Sequence, residues 1–201
     1  MLPDSGAAPA IPSAHDWWNH PAPPGVRGRY HPRVPQRGHE NPAARPAAMR
    51  ALIMYPLNAL AEDQLVRMRD GLDGAGARAW LDAHRRGNRF YFGRYTGRTP
   101  VAGERTASKE AELREELRSL EIDANAVSAS PDAARFFQSM SGAEMWSRWD
   151  MQDSPPDILI TNYSMLNIML MRSVEAPIFS ATRDWLEADE RNVFHLVVGE
   201  L

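Results

Sequence analysis

The chain has no cysteine, a single lysine among its 201 residues, and no long hydrophobic run. The absence of cysteine excludes disulfides, thiolate zinc sites and cysteine nucleophiles together. A membrane helix needs about 20 consecutive apolar residues. No stretch approaches that length, and no signal-peptide core follows Met1, so a cytoplasmic protein without a membrane partner is expected. A basic excess is missing too: 23 Lys and Arg stand against 26 Asp and Glu, for a net charge of −3. No global positive field therefore argues for nucleic acid. What is present, 43% hydrophobic and 24% charged residues, suits one packed domain with a tail.

Residues 1–48 carry ten of the sixteen prolines and four of the six histidines, His15, His20, His31 and His39. Such proline density excludes regular helix and weakens strand ladders, so an irregular segment is expected. Trp17 and Trp18 read either as a docking point on a folded neighbour or as a locally sticky loop. The histidine spacing matches no metal-ligand pattern, and no metal site is expected.

The chain is organised around residues 50–64, RALIMYPLNALAEDQ. Leu52, Ile53, Met54 and Tyr55 form a short apolar run of the kind shown by a strand buried on both faces. Pro56 cannot extend it, and Asn58 is suited to cap a following helix. Leu57, Leu60, Ala61, Leu65, Met68 and Leu72 recur at helical spacing, with Glu62 and Asp63 expected in the first turn. A strand feeding directly into a helix N-terminus is an α/β arrangement, with free amides at the strand's carboxyl end.

Further along, Gly71, Gly74 and Gly76 are expected to end that helix, with a short helical turn over residues 77–84. Residues 89–92 read as a second, aromatic-rich strand, and residues 93–100, GRYTGRTP, as a loop. Its two arginines and two threonines suit phosphate contact or a solvated turn equally well. Residues 104–152 read as a helical insertion. Its first helix carries an apolar stripe of Leu113, Leu117 and Leu120 and a Glu110–Arg114 pair, and a second helix is expected over residues 131–149. Residues 157–161 and 193–198 read as third and fourth strands. The methionine-rich stretch 162–172 reads as a core helix, and a further helix holds Trp185 and Leu186. Ser180-Ala-Thr182 reads as a helix-capping turn.

Four motifs, in order, resemble those of the first motor domain of superfamily 2 DEAD/DEAH-box helicases. YPLNALAEDQ at 55–64 resembles the pattern YPxNALAxDQ, and YTGRTP at 95–100 resembles YDGDTP. TNYSML at 161–166 resembles TNPDML, and VVGEL at 197–201 resembles the start of VVDELH. The resemblance covers about residues 49–201. It leaves out the proline-rich start, and the insertion is longer than the family's link. It implies a partial RecA-like α/β domain with a mainly parallel sheet. A nucleic-acid backbone, expected to be DNA, would be gripped by Pro56, Leu57, Asn58, Ala59, Arg94, Thr96, Gly97, Arg98, Thr161 and Asn162. In the intact family the cofactors are ATP and magnesium, and the partners include the rest of the motor.

Two departures bear on catalysis. The family's magnesium-binding aspartate falls at Gly199, which has no ligand atom, although Glu200 remains where a glutamate orients the attacking water. A phosphate-binding loop ending Gly-Lys-Ser/Thr should precede residue 55, yet Lys109 is the only lysine and no glycine loop leads into it. The reading is a piece of an ATP-dependent helicase or translocase without ATP turnover. A non-catalytic nucleic-acid-binding module and an inert relic are the alternatives.

Overall fold

A computed structural model of the chain describes residues 16–20, 32–37, 45–56 and 58–199. Two compact units, Met1–Val34 and Pro35–Leu201, divide it. The described residues of the first unit form no helix or strand. There Trp17 and Trp18 are buried and meet edge to face with ring centroids 6.0 Å apart. His20 Nε2 lies 2.8 Å from Asp16 Oδ2.

The second unit is an α/β fold on an all-parallel four-stranded sheet. Strands β1 (Ala51–Met54), β2 (Phe92–Tyr95), β3 (Ile158–Thr161) and β4 (His195–Val198) stand in the order β2-β3-β1-β4. In register, Met54 aligns with Thr161 and Val198, and Tyr95 with Thr161. Between them run α1 (Asn58–Asp73), α2 (Ala75–Arg85), α3 (Ala107–Val127), α4 (Pro131–Ala134) and α5 (Arg148–Asp153). Helices α6 (Tyr163–Met171) and α7 (Ala176–Ala188) follow β3, joined by a single 3-10 turn. Among the described residues no helix is long and apolar enough to cross a membrane.

Alternation along each strand divides the core between the sheet's two faces. Ala61 and Leu65 of α1 pack with Phe92, Ile160 and Ala143, with Ile53 and Met68 beside them. The opposite face gathers Leu52, Tyr95 and Leu159 with Met49, Met145, Met151, Met169 and Ile178. A hydrogen-bonded relay crosses the amino edge. Asp157 N donates to Tyr91 O (2.8 Å), Arg50 N to Asp157 O (2.8 Å), and His195 N to Arg50 O (2.8 Å).

Asp157 itself is buried. Its Oδ1 accepts from Arg50 Nη1 at 2.5 Å and its Oδ2 from the Tyr91 amide at 2.9 Å, while Arg45 Nη2 lies 2.6 Å from Oδ2. Both arginines also stand over aromatic rings, Arg45 over Phe90 (4.6 Å) and Arg50 over Trp185 (4.7 Å). Burial holds the Arg50 guanidinium below its ordinary range, and the Asp157 charge opposes that shift.

Several expectations are corrected. The second strand lies at Phe92–Tyr95 rather than 89–92, because the Asp157 carboxylate and backbone occupy the polar groups of Tyr91. Gly93 therefore belongs to the strand. A Cβ there would sit 2.8 Å from Met151 Sδ and 3.0 Å from Met145 Cβ, so the glycine admits those methionines to the sheet face. The first helix runs through Gly71, and α2 contains Gly76, so Gly74 alone separates them. Glu62 and Asp63 fall in the second turn of α1, since Asn58 is already helical.

No helix spans residues 131–149. The segment 143–145 instead lies along the edge of β2, with Phe92 N bonded to Ala143 O and Met145 N to Phe92 O. Helix α6 is not a core helix. Met169 is buried, but Tyr163, Ile168, Leu170 and Met171 are exposed. Ser180-Ala-Thr182 lies inside α7, where Thr182 Oγ1 donates to Ile178 O (2.8 Å) and accepts from Met49 N (3.1 Å).

Removing one partner of a buried ion pair strands the other charge and typically costs about 3–5 kcal/mol. Asp157→Asn keeps the shape but leaves Arg45 and Arg50 without their counter-charge. It should lower unfolding stability by about 3 kcal/mol in a urea melt, and an unchanged midpoint would count against the relay as the sheet's tie.

Candidate nucleic-acid interface

Because all four strands are parallel, their carboxyl ends share one edge, and the four motifs arrive there together. Tyr55 N donates to Thr161 O (3.0 Å), and Gly199 N to Met54 O (2.8 Å). Thr96, Asn162, Tyr55 and Gly199 each follow the last residue of a strand or its aligned neighbour and form a row along this edge. Helices α1 and α6 start from it, so their first amides and positive dipole ends face the same side. Pro56, in the turn before α1, has no amide hydrogen to leave unsatisfied. At α6 the Asn162 side chain accepts from Met165 N at 2.8 Å, which fixes the helix start. Asn58 and Ala59 open α1, whereas Leu57 and Glu200 lie outside the described residues.

The loop after β2 is locked by its own hydroxyls. Thr96 N donates to Thr99 Oγ1 (3.0 Å), Thr99 N to Thr96 O (3.1 Å), and Thr99 Oγ1 to Arg94 O (2.5 Å). Thr96 Oγ1 accepts from Arg98 N (3.3 Å), and Thr161 Oγ1 donates to Tyr95 O (2.7 Å). Thr96 and Thr161 are fully buried, so their hydroxyls hold the edge in shape. Gly97 and Arg98 project from it as exposed residues.

Beneath the loop lies a buried polar network that sequence patterns did not reveal. Arg148 Nη2 donates to Thr96 O (2.6 Å), and its guanidinium stands 5.4 Å over the Tyr95 ring. The Tyr95 hydroxyl donates to Glu175 Oε1 (2.9 Å) and accepts from Gln152 Nε2 (2.9 Å). Burial raises the Tyr95 pKa, so the phenol stays protonated and keeps donating. Gln36, from the proline-rich stretch, is equally hidden in sequence: its amide accepts from Trp146 N (2.8 Å) and donates to Glu144 O (2.7 Å). Partners more than 100 residues away leave no local signal.

Arg94 and Arg98 converge on one carboxylate. Arg94 Nη1 pairs with Glu62 Oε1, and Arg98 Nη1 stands 3.9 Å from that same oxygen. Arg94 is largely buried on the α1 face of β2, while Arg98 is 67% exposed. Burial lowers the Arg94 pKa; Glu144 opposes the shift and Arg98 adds to it.

The residues at the position where the resemblance expects magnesium do not fit an ion. Gly199 offers no side-chain donor, and a Cβ built there would lie 2.7 and 2.8 Å from two ring carbons of Tyr55. Among the described residues no group of three or more His, Cys, Asp or Glu could hold a metal.

No family model matches the chain, and no solved structure matches it. It is similar to the Druantia protein DruE of Escherichia coli (strain UMEA 4076-1), 34% identical over 194 aligned residues, covering 75% of this chain and 10% of that protein. The chain thus spans a tenth of the length of this curated relative.

The Tyr55 contact carries its own test. Gly199→Ala forces the ring aside, and overpacking of this kind costs about 1–3 kcal/mol. In a Tyr55→Ala background the same substitution should cost little. Additive losses in the double-mutant cycle would rule out the contact.

Proposed function

We propose that this chain is the nucleic-acid-gripping part of the first RecA-like motor domain of an ATP-dependent helicase or translocase. The observation that carries the reading is the convergence of residues 55–64, 95–100 and 161–166 on one edge of a parallel sheet. There two helix N-termini and Arg98 offer donors side by side. Such donors suit the repeating phosphates of a strand rather than base edges. The chain is similar to a stretch of the Druantia protein DruE, and that the intact motor hydrolyses ATP and translocates is part of this proposal. Single-stranded DNA is the expected ligand.

Within that reading the chain grips the strand without turning over ATP. Gly199 lacks a magnesium ligand, and Tyr55 fills the space where one would stand. The same observation favours a second reading, a non-catalytic nucleic-acid-binding module, in which this face alone is the function. ATP turnover by the isolated chain would overturn the non-catalytic part of both.

Fluorescence anisotropy with labelled oligo-dT across a salt series tests the grip. Each phosphate neutralised on a single strand contributes about 0.7 to the slope of log K against log salt. Arg98→Ala should weaken binding and flatten that slope by roughly 0.7. No binding by the parent chain at low salt would sink the proposal, and an unaltered slope would remove Arg98 from it.

A further inference from the structure

The Glu62 carboxylate lies between two arginines of the candidate grip, on a helix that starts at the same sheet edge. Resting on the nucleic-acid reading, we propose that Glu62 is a built-in stand-in for a phosphodiester. It occupies the seat between Arg94 and Arg98 that one phosphate of a bound strand takes, and so sets the affinity of the grip.

A carboxylate and a phosphodiester each carry one negative charge and present acceptor oxygens to guanidinium forks. One Glu62 oxygen faces both arginines, so the trio keeps one net positive charge and attracts a second anion. The fit to the carboxylate is also incomplete. Arg94 Nε is buried and makes no hydrogen bond, so the guanidinium keeps a donor that Glu62 does not use.

Other acids near the cluster are engaged elsewhere. Glu144 accepts from Arg69 through both oxygens, at 2.5 and 2.9 Å, and Asp63 lies 3.5 Å from Arg67. Glu62 is itself 37% exposed, which leaves its side chain room to swing out as a phosphate enters.

The test measures oligo-dT affinity for the parent chain and for Glu62→Gln, Glu62→Asp and Asp63→Asn across a salt series, with circular dichroism to establish folding. Glu62→Gln should bind about two- to fivefold tighter, the scale on which one partly exposed ion pair acts. Its salt slope should steepen by about 0.7, because the entering phosphate no longer frees a carboxylate that takes up a cation in its place. Glu62→Asp, which withdraws the carboxylate by one methylene, should gain in the same direction by less. The gain should vanish when Arg94→Ala and Arg98→Ala are combined with Glu62→Gln.

If the parent binds and folded Glu62→Gln binds no tighter, this inference falls while the nucleic-acid reading stands. An equal gain from Asp63→Asn would make the effect one of general charge and would also overturn it. If neither parent nor variants bind, both readings fall together.

Discussion

The second unit depends on one buried carboxylate. Parallel strands cannot be joined by hairpins, so their alignment must be fixed by crossovers and by contacts between segments distant in sequence. Asp157 does this at the start of β3. Its backbone bonds the strands on either side, and its side chain neutralises Arg45 and Arg50 and takes the Tyr91 amide. Because Arg50 O also receives the His195 amide, a shift of Asp157 is felt across all four strands. Registering the amino ends together brings Tyr95, Thr161, Met54 and Val198 level at the carboxyl edge, where the donors gather.

Much of this was legible in sequence because two-sided strands are short apolar runs and capped helices announce their starts. The first, third and fourth strands and the helix after Pro56 follow from such local signals. The misreadings share a cause: they occur where a distant partner overrides local preference. Gly93 looks like a loop former until Met145 and Met151 fill the space its missing side chain leaves. Residues 143–145 look helical until the free edge of β2 claims their backbone. In α6 a nearly all-apolar sequence gives no periodicity to say which face is covered, and most of it is exposed.

The candidate site was legible as chemistry but not as geometry. Two threonines and two arginines in one short stretch suggested donors to phosphate, yet Thr96, Thr99 and Thr161 bond within the protein. Their hydroxyls stiffen the edge that presents Gly97 and Arg98. Glu62 read only as a first-turn acid, and its arginine partners stayed hidden for a related reason. It stands between the buried Ala61 and Leu65, so it borders the covered stripe of α1, and only the placement of β2 beneath that stripe brings it to Arg94.

An acidic chain can still hold a polyanion if its cations can be re-partnered. Here the arginines are mostly engaged: Arg45 and Arg50 with Asp157, Arg69 with Glu144, Arg78 with Asp73, Arg114 with Glu110. Those pairs hold the fold, and several are largely buried, so exchanging them for phosphate would unmake the scaffold. Arg98 differs, being mostly exposed with its carboxylate at the outer limit of an ion pair. The first amides of α1 and α6 differ too, since their partial charge belongs to the backbone and no side-chain titration removes it. On the proposed reading, binding on this edge would be a matter of local exchange rather than net charge. It should respond to salt and to Glu62 more than to the overall balance of acids and bases.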